Sequence, residues 1–457
     1  MRERLVVIGG DAAGMSAASQ ARRRRRSDDL EILAFERGDY TSYSACGIPY
    51  LVGGVVDDPG RLISRAPETF RRDHDIDVRT RHEVVAVDLD RRAVQVRDLD
   101  GGSERWEDFD QLLLGLGSVP MRPAVPGADA PGIHGVQTLN DGLALRALLD
   151  DGGVRRVVVV GGGYIGLEMA EAMVTRGLDV TLVDRAPVPL GIFDPDMSAL
   201  VATALTGMGI KLVMGHGVTA FETGADGRVS AVVAEDHSIP ADLVVLGLGV
   251  KPNVEMVSAA GVPLGPSGGI AVDQRMCTQV EGLWAAGDCV ESHHRVSRKP
   301  VVVALGTHAN KQGRVAGINI GGGYATFPGV LGTAVTKVCE LEIARTGLSS
   351  REATEAGFRF VTSVVESTTR AGYYPGAAPI TTKLIAEQRS GRLLGAQIIG
   401  KEGAAKRIDV LATALWNEMT VEEMVSLDLS YAPPFAPVWD PVLIAARKTW
   451  EEVAGSG

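Results

Sequence analysis

No two cysteines in this sequence stand close enough to form a CxxC motif. There are four in all: Cys46, Cys277, Cys289 and Cys339. The usual zinc spacings are therefore missing, and no metal site is expected. No apolar run of ~20 residues free of Gly and charge occurs, so no membrane span is expected. A basic surplus is lacking too. The net charge is −11, which argues against a general affinity for nucleic acid. The opening "RLVVIGG" carries no signal-peptide h-region and cleavage site. A reducing cytoplasm is the expected home, where thiols stay free unless chemistry uses them. Aromatics make up only 5% of the chain, so each tyrosine in a suggestive position carries more weight.

Glycine, by contrast, is abundant at 56 residues, as expected where many tight strand-to-helix turns occur. The length of 457 residues predicts about three domains at roughly 150 residues each. In "RLVVIGGDAAGMSAASQARRR" an apolar run, Leu5 to Ile8, reads as a buried parallel strand. Gly9 begins a tight turn, and Gly14 lets the following helix pack close to the strand. Amides at the helix start then face a pyrophosphate. A second strand, "LEILAFE", ends at Glu36, a carboxylate placed for a ribose hydroxyl. Asp11 stands where the GxGxxG pattern calls for glycine. An acid there repels a pyrophosphate unless its side chain points away.

A second unit has the full pattern. "VRRVVVVGGGYIGLEMAEAM" supplies Gly161, Gly163 and Gly166, and the strand "DVTLVD" ends at Asp184. That acid favours NAD(H), while Arg185 beside it leaves room for dual use. "QLLLGLGSVP" and "GLWAAGDCV" read as further strands of the first unit, the latter ending at Gly287-Asp288. The first domain is thus split by the second.

With these features the chain resembles the flavin-dependent pyridine nucleotide–disulfide oxidoreductases over nearly its whole length. "GVKPN" (Gly249 to Asn253) and "ALGTHANKQGRVAGINIGGG" (Ala304 to Gly323) add to the resemblance. It implies an α/β fold with two Rossmann-like dinucleotide-binding domains, the FAD domain split by an inserted NAD domain, plus a C-terminal α+β dimerisation domain. The expected bounds are 1–120 and 252–325 for FAD, 121–251 for NAD(P)H and 326–457 for dimerisation. The FAD contacts it implies are Gly9, Gly10, Ala12, Ala13, Gly14, Glu36, Arg37, Gly117, Gly287, Asp288, Ala304 and Thr307. For NAD(P)H they are Gly161, Gly163, Tyr164, Ile165, Gly166, Asp184, Arg185 and Gly249.

Most of that family pairs two cysteines as CxxxxC beside the flavin. Here Leu51 takes the second place, and "SYSACGIPY" with Ser42 and Cys46 resembles the single-cysteine branch. That branch holds coenzyme A-disulfide reductases, NADH oxidases and NADH peroxidases. The "SYAPPFAPVWDP" segment contains no histidine, whereas paired-cysteine members carry a His-Pro-Glu group there. A lone thiol stores its oxidation either as a mixed disulfide with an external thiol or as a sulfenic acid. Backbone amides and the flavin are expected to favour the Cys46 thiolate.

The branch members are separable. Ala12 occupies the position where the peroxidase type carries a histidine. Tyr373 and Tyr431, with Tyr374 as an alternative partner, resemble the tyrosines that coenzyme A-disulfide reductases send to the other subunit's cysteine. They imply a homodimer. A phenol suits the departing thiolate as an uncharged O–H donor. Coenzyme A also needs cationic partners for its phosphates, and Arg22, Arg61 and Arg71 are the candidates, with Ser42 near the thiol. Ala45 stands where those reductases often place Asn, a form shared with the oxidases. The expected reaction is thus NAD(P)H-dependent reduction of coenzyme A disulfide or a related small disulfide or persulfide. An oxidase reducing oxygen through a cysteine sulfenic acid is the alternative.

Overall fold

The structure, a computed structural model, describes residues 2–455. Val- and Leu-rich runs form two five-stranded parallel sheets. In the first, the order is Leu283–Ala285, Gln111–Leu114, Glu3–Ile8, Leu30–Phe35 and Asp77–Arg79. Alternate residues of the central strand bury on opposite faces. Leu5 and Val7 pack beneath the Ala-rich helix Ala12–Arg24, while Val6 and Ile8 join a second cluster with Val94 and Val96. Burial on both faces is why this strand reads as a continuous apolar run.

The second sheet runs Lys211–Met214, Asp179–Asp184, Arg156–Val160, Leu243–Leu246 and Ile133–Gly135. Two short strands, Ser118–Pro120 and Val250–Pro252, pair antiparallel between the two sheets' segments. The chain leaves the first unit and returns to it at this crossing. Both sheets obey the same constraint at the turn. A side-chain carbon at Gly14 would come 1.9 Å from the Gly9 carbonyl oxygen, and one at Gly166 1.8 Å from that of Gly161. Only glycine lets each helix sit this close to its strand.

A third, antiparallel sheet follows, ordered Ala334–Val338, Leu341–Gly347, Leu393–Gly400, Pro379–Glu387 and Phe360–Thr368. A hairpin around Arg389-Ser390-Gly391 joins Pro379–Glu387 to Leu393–Gly400. Helices Ile408–Trp416 and Pro441–Gly455 cover this sheet's apolar face.

A buried ionic junction docks the second unit on this sheet. Lys383 Nζ lies 2.8 Å from Asp194 Oδ2 and 2.8 Å from Asp196 Oδ2. The Ser350 hydroxyl donates to Asp194 at 2.6 Å. Burial pushes the Asp194 carboxyl up, but the hydrogen bonds from Lys383 and Ser350 outweigh it and hold the acid below its usual range. Lys383→Met leaves that carboxylate buried without its cation. The expected cost is about 3 kcal/mol, read as unfolding at lower urea concentration.

Candidate active site

One cavity of about 2320 Å³ opens between the three sheets. Three helices start at its wall: Ala12–Arg24, Tyr164–Thr175 and Gly306–Ile320. None has a side-chain cap, so three positive dipole ends face the same space, a surface made for phosphates. Gly117 and Gly163 line it with nothing within 4 Å of where a side chain would stand. Tyr164 also lines it, and its buried hydroxyl has no hydrogen-bond partner. Open cradles beside helix starts and an orphaned phenol fit two dinucleotides.

The acid at the end of the second strand does the same work in both units. Glu36 accepts from the Gly10 amide and the Gly38 amide, each at 2.7 Å. Asp184 accepts from the Gly162 amide and, at 2.8 Å, from that of Ala186. Each carboxylate therefore braces its glycine turn and retains acceptor capacity, but only Asp184 lines the cavity; Glu36 does not. Asp184 and Arg185 line the cavity, as do Ala12, Ala13, Gly161, Ile165, Gly249, Gly287, Ala304 and Thr307. Gly9, Gly14 and Gly166 lie behind it as packing points, and Arg37 faces a separate cleft of about 450 Å³. Asp288 accepts from the Ser118 hydroxyl at 3.1 Å, and burial raises its pKa. Its turn is braced from behind, where the Gly287 amide donates to Gln312 at 2.8 Å.

Cys46 sits on the one-turn helix Ala45–Gly47 and faces the same cavity. The loop that carries it is anchored to the first glycine turn. Ser42, in the left-handed region at φ 47°, donates its amide to the Gly10 carbonyl at 3.1 Å and accepts from the Ser64 amide at 2.9 Å. All four cysteines are free. Cys289 is buried at carbonyl oxygens with its thiol pushed up to about 12, and Cys339 packs at Met208. Cys46 is exposed to the cavity, yet protein crowds around it. Burial and then the Glu168 carboxylate raise its pKa. The local amide favours the thiolate, as expected, but burial and the surrounding carboxylates outweigh it. Apart from its own amide, the protein groups that act on Cys46 oppose ionisation.

The structure also corrects the anion contacts. Arg22 spends its guanidinium on the carbonyls of Arg25 and Asp75. Arg71 binds the Val78 carbonyl and Glu68. Arg61 is exposed outside the cavity, and of the four candidates only Ser42 lines it. The cavity instead extends along the first helix past Ser16, Gln20 and Arg23, and Arg65 and Arg314 line it too. Helical spacing held the signal. Steps of four and three residues from Ser16 reach Gln20 and Arg23, whereas Arg22 lies one turn beyond Ala18, which does not line the cavity. Tyr373 and Tyr431 lie outside their own chain's cavity, 78% and 47% exposed. Phe435, Val438 and Trp439 are exposed nearby in sequence.

The architecture just described matches a known family. The family model for pyridine nucleotide-disulphide oxidoreductases matches residues 3–313, and the model for that family's dimerisation domain matches residues 333–441. The chain belongs to this family. It is 38% identical over 448 residues to the NAD(P)H coenzyme A polysulfide/persulfide reductase of Pyrococcus horikoshii, covering 98% of each chain. It is 35% identical over 452 residues to the NADH oxidase of Methanocaldococcus jannaschii, covering 99% of each. The crystal structure of reduced CoADR-RHD from Bacillus anthracis superimposes with a TM-score of 0.95 at 33% identity, covering 100% of this chain and 81% of that one. This flavoprotein is therefore an NAD(P)H-dependent, FAD-dependent oxidoreductase with two Rossmann-type sheets and a dimerisation domain. Among the described residues no helix is long and apolar enough to cross a membrane.

Proposed function

We propose that the enzyme passes two electrons from NAD(P)H to Cys46 and reduces coenzyme A disulfide or a related coenzyme A persulfide. Residues 1–120 and 252–325 hold FAD, with Ala12, Ala13, Glu36, Gly117, Asp288 and Thr307 among its contacts. Residues 121–251 hold NAD(P)H at Gly163, Tyr164, Asp184 and Arg185, and the chain from 326 onward forms the homodimer. Bound FAD supplies the two-electron link between the nicotinamide and the sulfur.

The observation that carries the substrate class is the continuity of the cavity from Cys46 to Ser16, Gln20 and Arg23. A pantetheine arm needs such a path, and its phosphates need guanidinium groups at the far end. The Cys46 thiolate attacks one sulfur of the disulfide. The S–S bond breaks, a mixed disulfide forms at Cys46, and the first thiolate leaves and takes a proton. Two electrons from NAD(P)H then break the mixed disulfide, releasing the second thiol and restoring the Cys46 thiolate. The sum is NAD(P)H plus one proton plus disulfide, giving NAD(P)+ and two thiols.

A second reading, an oxidase reducing oxygen through Cys46 sulfenic acid, is favoured by Ala45. This residue lines the cavity beside Cys46 and offers no amide to a pantetheine arm. Intact mass spectrometry of the enzyme purified without reductant separates the two. A coenzyme A adduct on Cys46, lost on treatment with dithiothreitol, is the expected result. A one-oxygen adduct there would overturn the disulfide reading in favour of the oxidase.

A further inference from the structure

Asp11 is a carboxylate in a place built for anions. It is the residue at which the first fingerprint helix begins, and it makes no side-chain cap bond to that helix. It lines the cavity with Ala12, Ala13, Gly117 and Asp288 rather than turning away. The two charged groups that act on it most are both negative: Glu36 at the end of the second strand and Asp288 at the turn before Cys289. From the loop that carries Cys46, the Tyr43 backbone and, within the helix start, the Ala12 backbone donate toward it. Tyr43's phenol and the Cys46 thiol are the remaining titratable groups in its field, and both are neutral at physiological pH because their own pKa values are raised. A diphosphate arriving at this helix start would meet the cavity-lining carboxylates of Asp11 and Asp288 and no compensating side-chain cation among these neighbours.

We propose that FAD binding is coupled to protonation of Asp11, so that the acid faces the cofactor's diphosphate as a neutral carboxyl and FAD retention weakens as pH rises. The inference rests on the placement of FAD in the first unit. Burial first, then Glu36, pushes the Asp11 carboxyl up to about 6 before any phosphate is present. A nearby dianion raises it further. Between those two values the protein must take up a proton to bind FAD. Linkage fixes the sign: affinity is level below about pH 6, then falls by up to about tenfold per pH unit above it until the pKa of the complex is reached.

The test uses the holoenzyme, diluted to nanomolar concentration in buffers spanning about pH 5.5 to 8.5, with released FAD followed by its fluorescence. Wild type is expected to lose FAD progressively above about pH 6. Asp11→Asn removes the proton while keeping the shape. It is expected to flatten the profile and retain FAD at least about tenfold better at about pH 8. Asp11→Ser, smaller and also neutral, is expected to do the same and serves if the amide folds poorly. Wild-type slopes in both variants, or weaker retention than wild type at high pH, would overturn the coupling. Asp288→Ala tests the placement separately. If that variant folds and retains FAD as wild type does, the flavin is held elsewhere, and the inference fails with it.

Discussion

Replacing Cys46 by serine is expected to lower disulfide reduction on the order of 10³-fold or more, while NADH still reduces the flavin at an unchanged rate. The hydroxyl is nearly isosteric with the thiol, so the loop that anchors Ser42 to the Gly10 carbonyl keeps its hydrogen bonds. What goes is the one group in the cavity able to exchange with a disulfide. None of the other thiols can deputise. Cys289 is buried at carbonyl oxygens, Cys339 packs at Met208, and Cys277 lies at the Leu283 carbonyl. Anaerobic stopped-flow absorbance separates the two half-reactions. Retained disulfide turnover in the variant would remove Cys46 from the chemistry.

Tyr431→Phe is expected to slow disulfide reduction on the order of a hundredfold, the lower end of what a positioned proton donor contributes. The physical case combines exposure with absence from the wall of the chain's own cavity. A phenol 47% exposed, outside the space that holds Cys46, acts only if a second copy brings it there. Mixed dimers decide this. A dimer with Cys46→Ser in one subunit and Tyr431→Phe in the other has one complete site if the tyrosine crosses over, and is expected to show about half of wild-type activity. If Tyr431 served its own chain, the mixed dimer would have only about half the already slow activity of the Tyr431→Phe parent. Equal rates for Tyr431→Phe and wild type would return Tyr431 to a packing role.

The two nucleotide-binding units were legible because their signals are local. A run such as Val157 to Val160, a glycine that alone tolerates a carbonyl within van der Waals reach, and an acid some twenty residues on all act within one βαβ unit. The lack of a CxxxxC partner for Cys46 was legible for the same reason. Arg22 was misplaced because adjacent residues in a helix point about 100° apart. A run of five arginines does not reveal which one faces the cavity until the helix is docked through Ala17, Ala18 and Ala21. The rise in the Cys46 pKa was not legible because burial, and after it the Glu168 carboxylate, arise from residues far away in sequence but close in space.

The sequence by itself determined that two dinucleotide-binding units and a Cys46 without a CxxxxC partner belong to one chain, since turn glycines, strand periodicity and the missing second cysteine of that motif are properties of short segments. Only the tertiary structure decided that Arg23 rather than Arg22 extends the cavity, that Asp11 faces it, and that Tyr373 and Tyr431 do not line their own chain's cavity. Electrostatic and steric effects depend on distance through space, and chain position does not encode that distance.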